Sequence, residues 1–192
     1  MDERRSGEES AFDKEEISKT LDRVNYWISN CDTKISFALA FAGVLLAVFF
    51  TSNVINDSLE GLLDLLKTYD TKTAIAFTNV TLLVGFFICL VTALVFFMLG
   101  LKGSVNSYNY KQEGLTTNSL LFFGTIKSTE FKRYKEAVES SSPLELRNDY
   151  LSQIHINSTI CQRKFERYNN GVLFLIAAIV LFVLLNIMLL FI

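Results

Sequence analysis

The chain has one proline and one histidine, His155, among its 192 residues, and a net charge of only −2. Proline removes an amide donor and clashes with the preceding turn, so its scarcity lets long helices run on without a break. With a lone histidine, a zinc site of the His-Glu-x-x-His kind has no second imidazole. Neither a Gly-x-Ser-x-Gly elbow nor a Gly-x-x-x-x-Gly-Lys-Ser/Thr phosphate loop occurs. No catalytic group and no metal site is therefore expected. The cysteines, Cys31, Cys89 and Cys161, share no metal-like spacing, and an odd, scattered set fits reduced thiols better than a disulfide framework. Without an excess of basic charge, nucleic acid is not an expected partner.

Charge is also missing in long stretches. No Asp, Glu, Lys or Arg falls from Ile35 to Asn56, from Thr73 to Leu101, or from Tyr168 to Ile192. A helix needs roughly 20 apolar residues to cross about 30 Å of hydrocarbon, and each block has that length. A soluble globule is excluded. The expected fold class is an all-α membrane protein with three transmembrane helices, two of which continue into a cytoplasmic helical stalk. Residues 1–12 are expected to be disordered and 13–34 to form a juxtamembrane helix. The spans are 35–56, 73–101 and 171–192. A short connection, 57–72, joins the first two spans, and a helical region, 102–170, joins the second and third. The N-terminus is polar and acidic with no short apolar core, so the first block is expected to direct insertion itself.

Orientation follows from lysine and arginine. Six precede the first block, among them Arg4, Arg5, Arg23 and Lys34, and ten lie between the second and third, from Lys102 to Arg167. The 57–72 connection has only Lys67 and Lys72. Basic residues are retained on the cytoplasmic side, which places the N-terminus inside and the C-terminus outside. Within the outer connection Leu59, Leu62, Leu63 and Leu66 follow a helical step. They predict either a helix lying on the outer leaflet or a connector packed on helix ends.

Asp13 followed by Glu16 reads as a helix start. Ile17, Leu21, Val24, Ile28, Cys31 and Ile35 then alternate steps of four and three, the period of a coiled-coil seam. Ser142-Pro143-Leu144-Glu145 has serine at the cap, proline at the first helical position and glutamate at the third. Leu151, Ile154, Ser158, Cys161, Phe165 and Tyr168 repeat the same step toward the last block. Two parallel helices running from stalk to membrane are predicted, packed within one chain or between chains. Ser128 or Thr129 is expected to cap a further helix bearing Phe131, Tyr134 and Val138 on one face. Inside the blocks, Asn79 and Asn186 sit at similar depth, as an interhelical hydrogen bond or a polar pore constriction. A stalk region of about a hundred residues in two pieces buries only a marginal core, so a homo-oligomer is expected.

Several of these residues also resemble a known family. Leu21-Asp22-Arg23-Val24-Asn25-Tyr26-Trp27 and Asp32-Thr33-Lys34 at the start of the first membrane helix are similar to the beginning of Pycsar transmembrane effectors. The Phe122-Phe123-Gly124-Thr125-Ile126 run and the stretch from Tyr150 through Gln153-Ile154-His155-Ile156-Asn157 to Lys164-Phe165 also resemble that family. The likeness covers the chain from about Ile17 onward. It implies an antiphage role at the bacterial inner membrane. A partner uridylate or cytidylate cyclase makes cyclic UMP or cyclic CMP on infection, and the effector answers by impairing the membrane. For such a ligand Arg23, Asn25, Lys127, Arg163 or Lys164 is expected to contact the phosphate and Phe122, Phe123 or Tyr134 to wall the base; in the other reading Phe122 and Phe123 cap the core of the stalk and the basic residues only follow the inside-positive bias. Asp32 and Lys34 are expected at the membrane boundary, with Arg23 about 16 Å deeper along the helix, as a functional pair or a local salt bridge. The alternative is an ungated scaffold or channel-forming protein whose stalk recruits a partner. A transporter is disfavoured because its ion pathway would place charged side chains in the blocks.

Overall fold

The computed structural model describes residues 13–52, 54, 56, 60, 72–103, 112–116 and 118–189. Among them the regular structure is all helical: α1 (Lys14–Thr51), α2 (Lys72–Leu101), α3 (Phe123–Ser128), α4 (Phe131–Ser140) and α5 (Pro143–Leu189). The expected amphipathic leucines, Leu59, Leu62, Leu63 and Leu66, and the expected disordered residues 1–12 lie outside the described residues.

Two of the three predicted helix starts form. The Glu16 amide donates to Asp13 Oδ1 at 2.7 Å, which satisfies a first-turn donor. At the start of α5 the Glu145 amide donates to Ser142 Oγ at 3.2 Å, while Ser142 donates its own amide, at 2.7 Å, and its hydroxyl, at 2.9 Å, to the Glu145 carboxylate. These reciprocal bonds hold the Glu145 carboxyl below its ordinary value of 4.5, the Ser142 amide contributing most and its hydroxyl next. A depressed carboxyl stabilises the folded cap above the ordinary value, and that stability is lost as pH falls through the lowered one. Protection of the first-turn amides of α5 against hydrogen exchange is thus expected to hold from pH 7 to 5 and to fall below pH 4.5. Ser142→Ala should lower that protection already at pH 7.

The helix after Ser128 starts differently from expectation. Thr129 Oγ1 and Ser128 Oγ both turn back onto the Thr125 carbonyl, at 2.8 and 3.0 Å. They close α3 instead, and α4 begins after Glu130 with no side-chain cap. Phe131 and Val138 on α4 are exposed, and only Tyr134 of that face is half-buried.

Contacts divide the chain into two units: Met1–Asn30 with Gly103–Arg163, and Cys31–Lys102 with Lys164–Ile192. The long helices α1 and α5 each contribute to both.

The second unit is a three-helix bundle. Its core comes from Cys31, Ile35, Ala42, Leu45 and Phe49 of α1, Phe86, Leu90, Ala93 and Phe97 of α2, and Leu175, Ala178 and Leu185 of α5. On every helix these positions step by three and four or their sums, the knobs-into-holes period. Phe49 lies against Phe86 and Phe182, while Ile35 reaches Gly100 and Asp32 reaches Lys164. So α1 and α5 run parallel, with α2 antiparallel to both. Gly171 sits over the Phe97 ring, where an added Cβ would come within 2.5 Å of it, and its missing side chain sets this close approach. The outward faces are apolar as well: Phe37, Phe41, Val44 and Val48 on α1, Ile88 and Val95 on α2, and Leu173, Ile176 and Val180 on α5 are exposed. Helices apolar on all sides need an apolar surround, and all three are long and apolar enough to cross a membrane.

The first unit has a different interior. Ile17 is its only fully buried apolar side chain among the described residues, whereas Ser119, Asp149, Ser152 and Gln153 are buried and polar. The seam expected along Leu151 and Ser158 is therefore displaced, for both residues are exposed. Asp149 and Ser152, three apart on one helix face, turn inward because the segment before α3 needs acceptors. Its Leu120 and Thr116 amides donate to Asp149 Oδ2 at 2.8 Å and Ser152 Oγ at 3.0 Å. Satisfying buried amides took precedence over burying one more leucine.

Candidate functional site

In the first unit the predicted residues form separate small groups. Arg23 is tied along its own helix, to the Glu16 carboxylate, to Thr20 Oγ1 at 3.2 Å and to the Lys19 carbonyl at 3.4 Å. With Glu16, Lys19, Asp22 and Tyr26 it lines a shallow cleft of mixed charge. Asn25 accepts a 2.9 Å bond from the Asn157 amide, pairing α1 with α5 inside this unit. That pair shows the two helices packing within one chain.

Phe122 and Phe123 pack ring against ring at 4.8 Å. Phe122 is half-buried and covers Gly124, whereas Phe123 is exposed. The Tyr134 hydroxyl donates to the Leu120 carbonyl at 3.3 Å, so its ring belongs to the same stretch of chain. Lys127 is exposed in the last turn of α3, and Arg163 is exposed on α5.

Lys164 stands in the other unit, and it is the residue with the most specific surroundings. Its ammonium donates to Asp32 Oδ1 at 2.5 Å and to the Gly100 carbonyl at 2.9 Å, with the side chain only 9% exposed. One turn on, Arg167 donates to the Leu99 carbonyl at 2.6 Å. Leu99 and Gly100 end α2, where carbonyls have no partner within the helix and the dipole is negative. Two cations from α5 therefore close the end of α2, and Asp32 of α1 balances one of them. All three helices meet in this clasp. A phosphate contact at Lys164 would have to displace both of its present partners.

Asp32 and Lys34 do not pair with each other, because residues two apart on a helix face different ways. Lys34 lies instead over the Phe165 ring, 5.5 Å from its centroid, a cation–π contact that also joins α1 to α5. Asn79 and Asn186 do not bond each other either. Asn186 donates to the Phe182 carbonyl of its own helix at 2.7 Å. Asn79 is fully buried, and neither atom of its amide has a hydrogen-bond partner among the described residues.

The Pycsar effector protein domain matches residues 16–191. The chain belongs to the Pycsar effector family. A relative, the Pycsar effector protein GmPycTM of Gulbenkiania mobilis, is 47% identical over 183 residues, covering 93% of this chain and 93% of the relative. No solved structure matches the chain. As a Pycsar effector it belongs to an antiphage system, and its family implies a cyclic nucleotide signal from a partner cyclase.

Sequence reasoning passed over two residues of this effector. Asp149 was readable only as one more charge on a solvated helix, and Gly100 only as a small residue ending a block. The acceptor three residues from Ser152, on the face opposite Leu151, was the one local sign of the first.

Proposed function

We propose that this Pycsar effector binds a cyclic pyrimidine mononucleotide, cyclic UMP or cyclic CMP, made on infection by a partner uridylate or cytidylate cyclase, and then impairs the inner membrane. Membership of the family along residues 16–191, joined to three helices able to cross a bilayer, carries the reading. The charge distribution supports an N-terminus and 102–170 region on the cytoplasmic side, where such a messenger is made, and a C-terminus outside. Exposed cations of the first unit, Lys127 and Arg163 with Arg23, suit the anionic phosphate. The ligand acts by favouring one packing of the helices over another, for binding shifts an equilibrium only through differential affinity. Homo-oligomers fit an effector that must open or disorder a bilayer.

Titration calorimetry of the full chain in lipid nanodiscs tests the first half of this, with expected heat for at least one of the two nucleotides. Dye uptake by cells expressing chain and cyclase together tests the second. Absence of heat with both nucleotides, alongside unaltered dye uptake, rejects the reading.

A further inference from the structure

Between α4 and the start of α5 lies a cavity of about 340 Å³ that neither the aromatic pair nor the cations line. Its walls include Ala137 and Ser140 of α4, Glu145 and Asp149 of α5, and Asn118 and Leu120 of the preceding segment. This volume is at the small end of ligand pockets, which run from about 300 to 1,000 Å³.

Asp149 is its unusual member. The residue is 3% exposed and Oδ2 takes the Leu120 amide, while Oδ1, itself closed to solvent, has no hydrogen-bond partner among the described residues. A carboxylate only accepts, with room for about four bonds on its two oxygens. Native structures seldom keep a buried acceptor unmet without a reason. Glu145, on the same wall, is kept ionised by the Ser142 cap. Among the described residues the lining holds two carboxylates and no cation, which repels a phosphate and attracts N–H donors.

We propose that this cavity reads the base of the cyclic nucleotide, with the Asp149 carboxylate turning its unmet oxygen to accept the N–H of the Watson–Crick edge. The donor is N3–H in uracil or the exocyclic amine in cytosine, and carboxylates pair with the cytosine amine in this way. Leu120 and Ala137 supply apolar contact, and the anionic ring phosphate stays outside the acidic walls. Recognition is linked to the neighbouring segment, because the Asp149 carboxylate holds the Leu120 amide and the Leu120 carbonyl holds Tyr134. The inference rests on the ligand class proposed above and moves the base from Phe122 and Phe123 to the Asp149 wall.

Calorimetry on the full chain in nanodiscs separates the two. Asp149→Asn keeps an acceptor for Leu120 but turns the second oxygen into a donor, and it should weaken binding of the cognate nucleotide at least tenfold. Ala137→Leu fills the cavity, leaves that bond alone, and should weaken binding as much. On the unaltered chain, N3-methyl cyclic UMP or N4,N4-dimethyl cyclic CMP should lose affinity to the same degree, with no further loss on Asp149→Asn. Thermal unfolding without nucleotide reports whether Asp149→Asn folds; if it does not, Ala137→Leu and the methylated nucleotides decide. Undiminished binding by the variants and of the methylated nucleotides overturns the cavity assignment while the ligand class stands. No binding of either parent nucleotide by the unaltered chain overturns both.

Discussion

Asp32→Ala is expected to destabilise the bundle by about 2–3 kcal/mol, measured by unfolding titration in mixed detergent micelles. Removing one partner of a buried ion pair costs roughly 3–5 kcal/mol, because the other charge is left buried and uncompensated. The cost is lower here because the Asp32 side chain is 39% exposed, and solvent screens part of the attraction. Lys164, at 9%, carries most of the burial and would keep only the Gly100 carbonyl. The double variant Asp32→Ala with Lys164→Met should recover most of the loss, since an apolar side chain of similar length needs no counter-charge. Losses that simply add would mean that the two side chains act independently and that the clasp is no pair at all. The same variants bear on signalling, because the clasp joins all three helices at one end of the bundle. Asp32→Ala is expected to reduce cyclase-dependent dye uptake even where the protein still inserts.

Phe49→Ala should cost a similar amount, about 2–4 kcal/mol, for a different reason. Phe49 has no exposed surface and stacks on Phe86 at 4.9 Å, meets Phe87 edge-on at 5.0 Å and Phe182 at 6.2 Å. In water a buried Phe→Ala costs roughly 3–5 kcal/mol, part of it the transfer of apolar atoms out of solvent. Lipid tails are as apolar as the side chain, so within a bilayer that part is small. What remains is lost dispersion contact and the cavity left behind. Phe50, the next residue, is 64% exposed on the outer face. Its replacement by alanine should stay within about 0.5 kcal/mol. Equal losses at the two positions would show that packing between the helices does not hold the bundle together.

These two variants also separate what local rules could supply from what they could not. Capping at Asp13 and at Ser142 with Glu145 depends on residues three apart, so it was legible and it forms. The four-and-three step from Ile17 to Ile35 was legible for the same reason, and the burial pattern carries it on through Ala42 and Leu45 to Phe49. On the first half of α5 the same period misled. Leu151 faces outward there because the facing segment presents amides that Asp149 and Ser152 satisfy.

The sequence alone determined three apolar helices, two of them continuing into polar sequence, and the charge asymmetry around them. Those properties depend on composition and near-neighbour spacing, which the chain carries whatever its tertiary arrangement. Only the tertiary structure decided that Lys164 joins Asp32 and closes α2, that Lys34 turns to Phe165, and that Asp149, a residue lining a cavity, keeps one oxygen unspent. Lys164 and Asp32 are 132 residues apart. At such separations no periodicity selects one partner over another, and the choice falls to whichever packing leaves the fewest buried charges and amides unmet.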